Sequence, residues 1–203
     1  MRLILVRHGE TNWNRERRIQ GGFTDIELNE VGRKQAEKIA LALKEEKLTA
    51  IYSSPLKRAL KTAQAIAKFH GLKVETDPAL REINSGKVDG LSLEEIKVKY
   101  AAFWKEWREG KDTLRFPEGE SLEQLQERAW GAIQRIRERH PDGAVIVVCH
   151  VFTILATICR ALELELGNFR RLEHNVAGIS IIDFKEGKAS LVLFNDTCHL
   201  KEG

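Results

Sequence analysis

The sequence predicts an α/β fold, a mostly parallel central sheet with helices on both faces. Three observations predict it. Two short runs, residues 3–6 and 144–149, are continuously apolar, the pattern of strands buried on both faces. Segments with apolar residues at helical spacing separate these and other short apolar runs, so strands alternate with helices. The length, 203 residues with 42% hydrophobic and 31% charged, suits one globular domain with a full core. No internal repeat or low-complexity segment breaks the chain.

The first strand, Leu3-Ile4-Leu5-Val6, stops at Arg7, His8 and Gly9. Ligands in open α/β sheets bind beyond the carboxyl ends of strands, and a glycine there lets the backbone turn or approach a ligand closely. Arg7–Gly9 therefore reads as the floor of an anion site, with His8 as its reactive group. The polar stretch that follows lacks helical periodicity and reads as a loop carrying Asn14, Arg18, Gln20 and Gly21. Asn29 reads as the N-cap of an amphipathic helix over residues 30–46, whose apolar stripe includes Ala36, Ile39, Ala40 and Leu43.

Residues 50–53 read as a second strand. Ser54 followed by Pro55 predicts a helix start with Ser54 as N-cap, running to His70-Gly71. Arg58 then sits in the first turn, where the helix dipole disfavours a cation that lacks an anionic partner. Residues 72–75 read as a third strand. Glu82, between Leu80 and Ile83, falls in a loop. From Leu91 to Gly110 the pattern is helical and aromatic, with Ile96, Tyr100, Phe103, Trp104 and Trp107. It reads as a small helical cap over the site, an insertion at about 86–118 in a single domain spanning 1–203. Simple core packing accounts for the same pattern. An exposed aromatic patch around Trp104 and Trp107 would serve equally as a dimer surface, which makes a second copy of the chain a candidate partner.

Ser121 and Gln124 form a capping box at the head of a helix reaching about His140. Pro141-Asp142-Gly143 makes a turn. The second apolar strand, 144–149, also ends in a histidine, His150, and residues 151–164 read as the next helix. Residues 178–184 and 189–194, joined by Lys185–Lys188, predict a terminal hairpin that adds antiparallel pairing.

The formal net charge is +3, with Lys and Arg interspersed among Glu, which argues against nucleic acid as a partner. No stretch approaches the ~18 apolar residues of a membrane span. The three cysteines, Cys149, Cys159 and Cys198, form no CxxC pair and are odd in number, as expected in a reducing compartment. The first apolar run is too short for a signal peptide, so a cytoplasmic location is expected.

Two histidines, two arginines and a carboxylate at one sheet edge suit a phosphoryl group. Arginine forks match phosphate oxygens. A neutral imidazole is a competent nucleophile toward phosphorus, a second can donate to the equatorial oxygens, and a carboxylic acid can protonate the leaving alcohol. Two histidines and a Glu could also bind zinc, but Arg7 and Arg58 would repel a dication and no HExxH or His/Cys cluster is present. Cys149 beside His150 raises the question of a thiol nucleophile. Successive strand residues point to opposite faces, so Cys149 is expected in the core.

RHGETNWN at 7–14, Gln20-Gly21, Asp25, Leu28-Asn29, Gly32, YSSPLKRALKTA, LREINSG, PEGES and VVCH, in this order, resemble the histidine phosphatase superfamily, in the branch containing cofactor-dependent phosphoglycerate mutases. The terminal NDTCHL resembles small bacterial phosphatases of that branch. The resemblance implies that His8 is phosphorylated, that Arg7, Arg58 and His150 form the phosphate pocket, and that Glu82 is the proton donor. It implies that Asn14, Gln20, Gly21 and the position of Val151 line the substrate side, and that no metal or organic cofactor is needed. The chain departs from the family pattern at Cys149, usually serine, and Val151, usually glycine. Ser85-Gly86-Lys87-Val88-Asp89-Gly90 stands where the family often has an aromatic, then Gly, then Trp-Glu-Gly.

The expected function is hydrolysis of small phosphomonoesters, with phosphoserine, α-ribazole 5′-phosphate or a broad set of monoesters as substrates. A phosphoglycerate mutase is the alternative within the same chemistry. Mutases of this branch are longer and usually carry Glu-Arg-His where this chain has Glu82-Ile83-Asn84. A non-catalytic phosphate-binding member is the rival from another class. Such members normally lose the nucleophile or an arginine, and this chain keeps both.

Overall fold

A computed structural model describes residues 1–110 and 114–201. Six strands, β1 (Arg2–Arg7), β2 (Leu48–Ser53), β3 (Val74–Thr76), β4 (Ala144–Cys149), β5 (Ile179–Lys185) and β6 (Lys188–Asp196), form one sheet in the order β3-β2-β4-β1-β5-β6. β1, β2, β3 and β4 are parallel. β5 runs antiparallel to both β1 and β6, so the expected hairpin also closes the sheet onto the first strand.

The apolar strands are buried on both faces for a visible reason. Leu3 and Leu5 of β1, with Val145, Val147 and Cys149 of β4, point to a layer under Ile133 and Ile136 of α6 (Leu122–Arg139) and Ile154 and Ile158 of α7 (Val151–Ala161). Ile4, Val6, Ile146 and Val148 point the other way, under α2 (Glu30–Ala42) and α3 (Lys57–His70). The alternation that sends Cys149 into the first layer confirms it as a core thiol, and burial pushes its pKa up.

Local signals place most boundaries. Asn29 caps α2 by accepting the Gly32 N–H at 2.8 Å, and Ser121 and Gln124 form the expected capping box. Gly32 and Gly9 are required by contact rather than by turn geometry. A Cβ on Gly32 would lie 2.0 Å from the Glu10 carbonyl oxygen, and one on Gly9 would lie 2.4 Å from that of Gly32. The loop after β1 therefore rests backbone-on-backbone against α2.

Several expectations are corrected. The predicted loop after β1 contains a four-residue helix, α1 (Asn12–Arg15), closed by a Thr11–Asn14 capping box and too short to show periodicity. Helix α2 ends at Ala42 rather than residue 46, and α7 ends at Ala161 rather than residue 164. Ser54 does not cap α3. That helix starts at Lys57, whose N–H is accepted by Asp25 Oδ1 from the 20s loop at 2.7 Å. The 91–110 segment is broken at Tyr100 into α4 (Leu93–Lys99) and α5 (Ala101–Glu109).

Trp104 and Trp107 are half-buried rather than an exposed patch. Trp107 meets Phe116 and Phe152 edge-on at 5.7 and 5.6 Å, in a third apolar layer with Phe103 and Phe169. Residues 111–113, inside the expected cap, lie outside the described residues.

Candidate active site

The adjacency of β1 and β4 builds the site. Their register pairs Arg7 with Cys149, so His8 and His150 leave neighbouring strands at the same level. The His8 N–H donates to the Cys149 carbonyl at 3.2 Å, and the two imidazole centroids are 5.2 Å apart. On the other side of β4, the Ser54 N–H donates to Val148 O at 3.0 Å, carrying the head of α3 and Arg58 to the same edge. His8 is 3% exposed, His150 and Arg58 0%, and Glu82 5%, so all four charges or dipoles act with little solvent screening.

Each side chain is held by identifiable partners. The Nδ1 atom of His8 lies 2.8 Å from the Gly9 carbonyl oxygen. That oxygen can only accept, so Nδ1 carries the proton and Nε2 keeps its lone pair. Arg7 Nη1 donates to the His174 carbonyl. Arg58 donates from Nη1 to Thr24 O at 2.9 Å and from Nη2 to Gly21 O at 3.2 Å. Glu82 accepts the Ile83 N–H at 2.9 Å on Oε1 and the Phe152 N–H at 3.3 Å on Oε2. Arg7 Nε, Arg58 Nε and His150 Nδ1 are buried with no partner among the described residues, a set of groups an oxyanion would satisfy.

Burial pulls both guanidiniums down to about 10, which leaves them protonated at neutral pH. Burial, then Arg58 and Arg7, hold His8 well below the ordinary histidine range, and His150 is lowered by the same causes with His8 added. Burial raises Glu82 against the opposing pull of the Ile83 N–H and Arg58. The site thus favours neutral imidazoles and a carboxyl group that holds its proton better than usual.

Asn14 and Gln20 meet at Thr11, whose hydroxyl lies 3.0 Å from Asn14 Oδ1 and 2.9 Å from Gln20 Oε1. The Gly21 N–H donates to Asp89 Oδ1 at 2.8 Å while its carbonyl receives Arg58. Val151 is the first residue of α7 and packs half-buried against the third layer. A cleft of about 760 Å³ is lined in part by Phe23, Arg81, Glu82, Asn84 and Arg115, and so reaches the site at Glu82. Among the described residues no group of three or more His, Cys, Asp or Glu is disposed to hold a metal ion.

Sequence reasoning missed four residues. Asp89 clamps Gly21 and also accepts from the Thr24 hydroxyl, so it fixes the loop whose carbonyls hold Arg58. Thr62 accepts the Gly9 N–H at 3.2 Å and donates to Arg58 O at 2.9 Å. His174 is buried in an aperiodic stretch, reaches Arg7 only because β5 pairs with β1, and is lowered to about 4 by burial and by Arg7. Ser54 Oγ lies 2.8 Å from His150 Nε2. Only Ser54 carried a local signal, and it pointed elsewhere.

These shifts carry a stability prediction. Between the unfolded histidine pKa near 6.5 and the lowered native values, the unfolded chain binds a proton at His8, His150 and His174 that the native state does not. Stability should therefore fall as pH drops below about 6.5, by up to about 1.4 kcal/mol per pH unit for each group. Glu82, raised in the native state, opposes this with one proton. Urea unfolding should give a lower midpoint at pH 5 than at pH 7, and replacing His174 with Gln should flatten the difference. Equal midpoints for the native protein would contradict neutral burial of these rings.

No helix among the described residues is long and apolar enough to cross a membrane. The family model for the histidine phosphatase superfamily (branch 1) matches residues 3–197. The chain is 38% identical to phosphoserine phosphatase 1 of Hydrogenobacter thermophilus over 202 residues, covering 100% of this chain and 95% of that protein. It is 38% identical to phosphoglycerate mutase-like protein 4 of Arabidopsis thaliana over 205 residues, covering 98% and 87%. Among solved structures, a mutant phosphoserine phosphatase of Entamoeba histolytica in complex with phosphoserine superposes with a TM-score of 0.90 at 33% identity, covering 98% of this chain and 99% of that one. A match over nearly the whole length, with paired imidazoles and guanidiniums at the ends of β1, β4 and β2, identifies the chain as a member of the histidine phosphatase superfamily, branch 1.

Proposed function

We propose that the protein hydrolyses small-molecule phosphomonoesters through a phosphohistidine on His8. The observation that carries this reading is the buried set of unpartnered guanidinium and imidazole nitrogens around a histidine whose Nε2 is left bare. Arg7, Arg58 and His150 would bind the phosphoryl oxygens. His8 Nε2 attacks phosphorus as the P–O bond to the leaving alcohol breaks, and Glu82 donates its proton to that oxygen. The resulting carboxylate then takes a proton from water, which attacks phosphorus and breaks the P–N bond to release phosphate. Asn14, Gln20, Gly21 and Val151 would face the substrate beyond its phosphate.

Phosphoserine is the first substrate to test, because the Hydrogenobacter thermophilus relative at 38% identity and the Entamoeba histolytica structure at 33%, both matched over nearly the full chain, carry that activity in their names. Ile83 supports hydrolysis over mutase chemistry. It is buried in the third apolar layer and offers no charge where mutases of this branch place an arginine. The stretch 86–118 is taken as the cap of a single domain over 1–203. All three cysteines are unpaired, which fits a reducing cytoplasm.

Phosphate release should be measured over phosphoserine, ribazole and sugar phosphates and 3-phosphoglycerate, with mutase activity assayed in parallel. Phosphoserine hydrolysis exceeding mutase turnover supports the reading, and efficient phosphoryl return to phosphoglycerate overturns it. Activity should survive exhaustive EDTA treatment, because two buried arginines already supply the positive charge a metal would bring. Loss on chelation that a divalent ion restores would contradict that.

A further inference from the structure

We propose that Ser54 is a positioning residue that fixes the tautomer of His150, so that this ring meets the phosphoryl group as a hydrogen-bond donor from Nδ1. The proposal rests on the phosphatase reading for what the ring donates to, but the tautomer itself is a property of the free protein.

The argument is a hydrogen count. Ser54 is fully buried, and its Oγ lies 2.8 Å from His150 Nε2. The same oxygen already accepts the Leu56 N–H at 3.3 Å, where the chain turns into α3. Ser54 has one hydroxyl hydrogen and two lone pairs. With the Leu56 N–H on one lone pair, the hydrogen has one acceptor among its contacts, His150 Nε2. Donation to Nε2 leaves the ring's single proton on Nδ1. That atom is buried and without a partner, at an edge where Arg7 and Arg58 favour an anion.

The opposite tautomer fails twice. Nε2–H would donate to Ser54, leaving the hydroxyl hydrogen buried and unpaired. Nδ1 would then present a lone pair to an oxyanion. A charged ring would satisfy Nδ1, but burial and the surrounding arginines lower its pKa well below the usual range. His8 holds the same tautomer through a different partner: the Gly9 carbonyl takes its Nδ1–H and leaves Nε2 bare. One site thus holds two imidazoles in the same tautomer but tied off at opposite nitrogens, one left as an acceptor toward phosphorus and one as a donor toward oxygen. A carbonyl and a hydroxyl decide which is which.

The test is a long-range ¹H–¹⁵N correlation spectrum of the full chain labelled at histidine, with His150 assigned through His150→Gln. At pH 7 the native spectrum should show His150 protonated at Nδ1 and bare at Nε2. Ser54→Ala should shift the ring toward Nε2–H and lower kcat on the order of 10-fold. That is less than the roughly 10²–10³-fold cost of deleting a transition-state donor outright. Ser54→Thr, which keeps the hydroxyl, should keep the native tautomer. A native ring protonated at Nε2, or at both nitrogens, overturns the proposal. So does a folded Ser54→Ala variant whose His150 tautomer is unchanged. If Ser54→Ala does not fold, the native spectrum and Ser54→Gly, which also lacks the hydroxyl, decide. Failure of the phosphatase reading would appear instead as turnover that survives loss of His8, leaving the spectrum intact.

Discussion

Replacing His8 with Ala is expected to abolish turnover, by about 10⁴-fold or more, the scale at which removal of a nucleophile disables a covalent mechanism. The substitution removes the Nε2 lone pair that the proposed mechanism uses to form the intermediate. Its Nδ1 is tied to Gly9, and His150 faces the site from a different strand with Ser54 behind it. The anion pocket should survive, because Arg7 and Arg58 are held by His174, Gly21 and Thr24 rather than by His8. The His8→Ala protein should therefore still bind inorganic phosphate while forming no covalent adduct. In the native enzyme, rapid quench with substrate should trap an acid-labile phosphate on His8, attached at Nε2. Normal turnover in His8→Ala, or a phosphate trapped elsewhere, would sink the mechanism.

Glu82→Gln should lower the rate on alkyl phosphates by about 10²–10⁴-fold, the usual worth of general acid–base catalysis. The carboxyl group is buried against the backbone of Ile83 and Phe152, and burial raises its pKa despite Arg58 and Arg7. Bound phosphate dianion pushes it up further, so the proton is held best when it is needed. Activity should fall as pH rises through this raised pKa, and Glu82→Gln should lose that basic limb. The acid limb, set by protonation of His8, should lie well below the ordinary histidine value. The loss should also depend on the leaving group. Phosphoserine releases a basic alkoxide that needs the proton, whereas p-nitrophenyl phosphate releases a stabilised phenolate that needs it far less. Single-turnover rates on the two esters should separate in Glu82→Gln. Equal losses would make Glu82 a substrate-positioning group and send the search for the acid elsewhere.

What could be read without the fold was whatever is encoded within a few residues. The apolar runs at 3–6 and 144–149, the Asn29 and Ser121 caps and the helical stripes all rest on short-range periodicity and capping, and each became the element expected. The ends of those strands marked Arg7, His8 and His150 as an edge where chemistry gathers. Glu82 was different. Its neighbours describe an ordinary loop, and only a resemblance running along most of the chain singled it out.

By itself, then, the sequence determined the alternation of strands and helices, the burial of β1 and β4, and the pair of histidines at their ends. Which groups those histidines meet was decided only by tertiary structure. β4 forms late in the chain yet inserts between β1 and β2, which puts Ser54 of the β2–α3 turn against His150, 96 residues away. β5 returns to pair with β1 and brings the His174 carbonyl to Arg7 across 167 residues. Ser54 shows the limit most clearly. Locally it has the chemistry of a helix cap, but the helix starts only at Lys57, whose N–H Asp25 accepts, while the Ser54 hydroxyl meets the Leu56 N–H and His150. Side-chain hydrogen bonds are local in space rather than in sequence, so their partners emerge only when the sheet is assembled.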